Sequence, residues 1–112
     1  MKDIYLDHAA TTPLRPEALE AMLPYLREHF GNPQSSHKYA EVPQQAIEKA
    51  RAQVAALIGA QEKEIFFTAS GSEANNFALK GVAFANQGLG KHLVISAIEH
   101  HSVLNSAKTL DK

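Results

Sequence analysis

The stretch IFFTASGSEANNFALKG, residues 65–81, decides how the chain is read. It opens on Ile65, Phe66, Phe67 and Thr68, residue types that favour a strand, and EIFFT (64–68) is expected to form one. Ala69, Ser70, Gly71 and Ser72 follow as a run of small side chains. A helical pattern begins at once over 72–88, with Phe77, Leu79, Val82 and Ala83 as its apolar side. In an open α/β sheet such a strand-to-helix corner lies beyond the carboxyl end of a strand, where ligands are held. A helix starting near Ser72 points unpaired N–H groups and the positive end of its dipole outward. Gly71 lets an anion come close to the backbone and can take positive φ if the turn needs it. Ser70 and Ser72 add hydroxyl donors. Phosphate is the natural guest of this corner. Spacing leaves a second reading open, in which Ser70 or Ser72 is an N-cap and Glu73 and Asn75 are ordinary first-turn residues. No GK[ST] follows and no GxGxxG is present, so neither the Walker loop nor the dinucleotide fingerprint applies.

Downstream, HLVIS (92–96) reads as a strand and HHSVLNSAKTL (100–110) as a helix. The order from 64 to 110 is therefore strand, helix, strand, helix, the pattern of a parallel α/β sheet. If the two strands are adjacent, Glu99, His100 and His101 open on the same sheet edge as Gly71 and Ser72. A histidine there can stack on a planar ligand or move a proton. Upstream, IYL (4–6) is a short strand candidate. In RPEALEAMLPYLREHF (15–30), Leu19, Met22, Leu23, Leu26 and Phe30 form an amphipathic stripe. Pro16 suits the first helical turn and Gly31 the stop, and Pro24 predicts a kink or a break. GNPQSSHK (31–38) is a loop by composition, and a further helix is expected from Val42 to Ile58 with Gly59 ending it. Two parallel strands make too narrow a sheet to stand alone, so the expectation is part of a larger fold rather than a self-contained small α/β domain.

Composition narrows the function. The formal net charge of −1 offers no electrostatic basis for a nucleic-acid or anionic-membrane partner. No apolar run approaches the roughly 20 residues that span a bilayer. MKDIYLDHAATTP carries no signal-peptide pattern, and a cytoplasmic location is expected. His8, His29, His37 and His92 show no ligand spacing, so no metal site is expected. There is no cysteine.

Four motifs occur in order: YLDHAATTP, GNPQSSH, FFTASGSEANN and ISAIEHHSVL. Together they resemble the N-terminal part of a cysteine desulfurase, a family of pyridoxal-phosphate (PLP) enzymes among the class V aminotransferases of fold type I. The resemblance covers essentially the whole chain. It implies an α/β fold: an N-terminal segment (1–15) at the active-site entrance and small domain, then the first βαβα units of the PLP-binding large domain (16–112), incomplete at 112 residues. It implies that Gly71 and Ser72 bind the cofactor phosphate, where many members carry alanine and threonine. It implies that His100 stacks on the pyridine ring and assists proton transfer, so that it is both a cofactor-binding and a catalytic residue. Ala10, Thr11 and Thr12 match a segment on the substrate side of the pocket, and GNPQSSH one near the entrance and dimer contact.

The implied reaction converts L-cysteine to L-alanine and leaves sulfur as a persulfide on an enzyme cysteine, for iron–sulfur cluster assembly or thiolation. The lysine that bonds the cofactor aldehyde, the aspartate facing the pyridine nitrogen and the nucleophilic cysteine lie in the family C-terminal to the matched region. None of Lys2, Lys38, Lys49, Lys63, Lys80, Lys91, Lys108 and Lys112 sits at the family's lysine position. The chain alone is therefore expected to be inactive. The implied partners are L-cysteine, a sulfur acceptor or iron–sulfur scaffold protein, and a second copy or a complementing C-terminal chain. A selenocysteine lyase, another class V enzyme and a non-catalytic assembly module are the alternatives.

Overall fold

The computed structural model describes residues 3–111. They form two compact units, one ending at Glu64 and the other beginning at Ile65.

In the first unit, α1 spans Pro16–Arg27. Pro16 occupies the first turn, where its missing N–H costs nothing, and Glu17 and Arg27 complement the dipole at the two ends. The helix runs through Pro24 without a break but ends one turn later. The amides of Glu28 and His29 both close on the Pro24 carbonyl, at 2.8 and 2.9 Å. The stop therefore falls before Gly31. That glycine instead permits a close backbone approach, since a Cβ there would lie 2.0 Å from the Tyr39 carbonyl oxygen. The approach lets Phe30 and Tyr39 stack, with centroids 6.4 Å apart and planes 23° from parallel. A 3₁₀ turn at Lys38–Ala40 leads into α2, Glu41–Ile58. Gly59 ends α2 as expected, in the left-handed region at φ 68°, with its amide on the Ala55 carbonyl. Ala40, Pro43 and Ala55 are buried in this unit.

In the second unit, α3 spans Gly71–Ala85 and α4 spans His101–Leu110. The two helices pack against each other. Ser102 of α4 bonds Asn75 of α3, and Leu110 lines the same cleft as Leu79, Val82 and Ala83. Start lies beside start and end beside end, so the helices run parallel. Phe66 meets the Phe77 ring edge-on at 5.7 Å, and Ile65 and Ser106 are buried.

The sheet is where structure and sequence differ. Among the described residues the elements are α-helices and 3₁₀ turns, and no strand forms. Of the runs 4–6, 64–68 and 92–96, expected as strands, all take irregular backbone except Glu64, which closes a 3₁₀ turn. A helix satisfies its backbone within its own segment, whereas a strand exists only through a neighbour's ladder. A narrow parallel pairing gains little per residue. The irregular runs after Glu64 and before His101 still lead straight into the starts of α3 and α4.

Candidate functional site

At the first corner Ser70 is the N-cap of α3, extended at φ −160° and ψ 160°. Its Oγ accepts from the Glu73 amide at 3.2 Å, and Glu73 Oε2 reaches back to the Ala69 amide at 2.8 Å. This is a capping box shifted by one residue at its return bond. It consumes the Ser70 hydroxyl and the Glu73 carboxylate. The Gly71 and Ser72 amides and the Ser72 hydroxyl donate to no group among the described residues. Gly71 does not use positive φ, and no atom would meet a Cβ built on it within 4 Å. The space beside Gly71 is therefore open, next to two amides and one hydroxyl with no acceptor among the described residues, at the start of a 15-residue helix. That donor set fits a phosphate, with the Glu73 carboxylate engaged by the Ala69 amide at the same corner.

At the second corner His100 is the N-cap of α4, at φ −59° and ψ 148°. Its Nδ1 accepts from the Ser102 amide at 3.1 Å and lies 2.8 Å from Ser102 Oγ. The Asn75 Nδ2 amide, from α3, donates to the same Oγ at 2.8 Å. The ring is exposed and its other nitrogen makes no bond among the described residues. The His101 ring lies tilted beside it, 6.2 Å away.

These bonds bring the two corners together. Asn75 stands one turn along α3 from Gly71, and Ser102 stands in the first turn of α4. Gly71, Ser72 and His100 thus lie at the same end of the parallel pair. Asn75, read from the sequence as an ordinary first-turn residue, is the bridge. Sequence reasoning misses Ser102; the signal that could have found it is a hydroxyl two residues beyond a histidine at a helix start.

The remaining expected residues lie in the first unit. Ala10 and Thr11 follow a tight turn in which their amides close on Asp7, at 3.1 and 3.5 Å, and the Tyr5 hydroxyl donates to the Asp7 and Thr11 carbonyls. Thr12 lies in the irregular run leading to α1. In GNPQSSH, Asn32 Oδ1 accepts from the Gln34 amide at 2.9 Å in a local turn, and the His37 ring meets Tyr39 edge-on at 6.2 Å. Among the described residues no group of three or more His, Cys, Asp or Glu side chains gathers to hold a metal ion. A cleft of about 520 Å³ opens between Leu79, Val82, Leu93 and Leu110. It is not part of this site: Val82 is about 15 Å along α3 from Ser72, at 1.5 Å per residue.

The family model "Aminotransferase class-V" matches residues 4–112. A cysteine desulfurase IscS of Dictyoglomus turgidum is 52% identical over 99% of this chain and 28% of its own length. The IscS of Methanosarcina thermophila is 49% identical over 98% of this chain and 27% of its own. A cysteine desulfurase of Rattus norvegicus is 48% identical over 99% and 25%. The chain thus spans little more than a quarter of the curated relatives it matches. Among solved structures, a NifS-like protein superposes with a TM-score of 0.86 at 37% identity, over 96% of this chain and 30% of that one. A structure of SspA in complex with cysteine gives 0.84 at 43%, over 96% and 31%.

Proposed function

The chain belongs to the aminotransferase class-V family, and from that premise we propose that it supplies the N-terminal, cofactor-anchoring part of a cysteine desulfurase. The reaction moves the sulfur of L-cysteine onto an enzyme thiol. The Cβ–S bond breaks, Cβ takes up a proton to give L-alanine, and the thiol becomes a persulfide. PLP, when bound, supplies the electron sink for bond breaking next to the amino group.

The residues of this chain bind and orient. The amides of Gly71 and Ser72, with the Ser72 hydroxyl, would hold the phosphate, and His100 would lay its ring on the pyridine. Two handles at one end of the helix pair would leave the reacting carbon free while fixing its direction. The single observation that carries this reading is the Asn75–Ser102–His100 connection, which ties the ring candidate to the helix whose start is open to an anion. The chain has no cysteine, so the sulfur-accepting thiol stands outside these 112 residues.

The same reading includes several further parts. Residues 1–15 would form an entrance segment, and 16–112 would begin a PLP-binding large domain, in which 64–68 and 92–96 become parallel strands only once strands from the rest of the enzyme lie beside them. A second copy completes the pocket, and a sulfur acceptor or iron–sulfur scaffold receives the product in the cytoplasm. Among the described residues no helix is long and apolar enough to cross a membrane.

The test is a pair of substitutions in the PLP-loaded enzyme that carries this segment. Ser72→Ala is expected to weaken PLP retention about tenfold, the loss of one hydrogen bond to a charged group. His100→Ala is expected to lower kcat at least a hundredfold while PLP is retained. Unchanged retention in the first and unchanged turnover in the second would remove the reading.

A further inference from the structure

We propose that Asn75 and Ser102 are positioning residues that fix the tautomer of His100, so that the neutral ring carries its proton on Nε2, the outward nitrogen. Its use in turnover rests on the proposed function; the tautomer itself does not.

The assignment follows from one group that has no choice. The Ser102 backbone amide can only donate, and it points at His100 Nδ1 from 3.1 Å. Nδ1 is therefore an acceptor and carries no proton. Ser102 Oγ lies 2.8 Å from the same nitrogen, which has no proton to give. The hydroxyl must be the donor of that pair. Having committed its proton, Oγ has only lone pairs left to offer, and the Asn75 side-chain nitrogen fills one of them at 2.8 Å. An amide nitrogen can only donate, so the orientation of Asn75 is dictated by the chain of bonds. The direction runs Asn75 to Ser102 to His100, each bond polarising the next.

Burial supports the same order. Asn75 and Ser102 are half-buried while His100 is exposed. Ser102 is itself held from below: buried Ser106 donates to its carbonyl at 2.6 Å. A plain helix cap would need only the Ser102 amide. The hydroxyl and Asn75 add a second donor to Nδ1, leaving Nε2 as the only site for the proton of the neutral ring. An N–H, not a lone pair, then faces whatever lies against the open side of the imidazole.

The experiment is ¹⁵N NMR of the imidazole nitrogens in the cofactor-free form of the complete enzyme that carries this segment, labelled with ¹⁵N-histidine. It is run at about pH 8.5, about two units above the ordinary imidazole range, and the signal is assigned by its loss in His100→Gln. The expected result is Nδ1 with the shift of a bare ring nitrogen and Nε2 with that of an N–H. Ser102→Ala is expected to lower the Nε2–H to Nδ1–H ratio about fivefold, the effect of losing one neutral hydrogen bond. Ser102→Thr keeps the hydroxyl and restores the ratio. Asn75→Asp removes the donor and draws the Ser102 proton to its carboxylate, so it lowers the ratio at least as far. A His100 ring that is Nδ1–H or averaged in the unaltered chain overturns the proposal. So does a ratio that Ser102→Ala and Asn75→Asp leave untouched. Because no cofactor or substrate is present, failure here leaves the desulfurase reading standing, and failure of that reading leaves the tautomer standing.

Discussion

At Gly31 a single methyl group would meet a peptide carbonyl at 2.0 Å, and backbone cannot swing aside as a side-chain tip can. Gly31→Ala is expected to push the segment around Tyr39 away at a cost of about 1–3 kcal/mol. The amide of Ala40, bonded to the His37 carbonyl, should then exchange with solvent at least tenfold faster, as measured by hydrogen exchange. An unchanged rate would mean that the loop absorbs the methyl elsewhere. This glycine was legible in the sequence only as a helix stop, because a close approach between distant residues leaves no local pattern. The candidate site shows the same divide. Gly71, Ser72 and His100 were visible because small residues and histidines stand out at strand-to-helix corners. Asn75 and Ser102 were not, because each is unremarkable alone and acts only through a partner on another helix.

Helices were the most legible elements, since periodicity and caps act within one segment. The span expected from Val42 to Ile58 is found one residue longer, at Glu41–Ile58, with the same glycine behind it. Two glycines test that logic in opposite directions. Gly81 lies inside α3 with ordinary φ and open space where a Cβ would go. Gly81→Ala should stabilise that helix by about 0.5–1 kcal/mol, seen as two- to fivefold slower exchange of its central amides. Gly59 sits at φ 68°, where any Cβ is strained although the space is open. Gly59→Ala should loosen the last turn of α2 by about 1 kcal/mol, with exchange there about fivefold faster. Equal responses at the two sites would show that propensity does not govern these ends. Strands were the least legible elements, because Ile65 to Thr68 and Leu93 to Ser96 have the right residue types but a ladder depends on what lies alongside.

Over the whole molecule the buried set among the described residues is Ala40, Pro43, Ala55, Ile65 and Ser106, mostly small side chains. Leu6, Leu57, Leu89 and Ile98 are each more than 80% exposed. Apolar area removed from water is the main term opposing conformational entropy, and so small a set supplies little of it. The chain on its own is expected to melt over a broad range without a cooperative step, followed by circular dichroism against temperature. A sharp transition, with heat absorbed in one peak, would show that burial is larger than these residues account for. In the second unit α3 and α4 lie side by side and run parallel. Two rows of peptide bonds end their summed polarity at one place, a pull on anions that owes nothing to lysine or arginine. No change of pH titrates it, and no side-chain exchange that spares the helices takes it away.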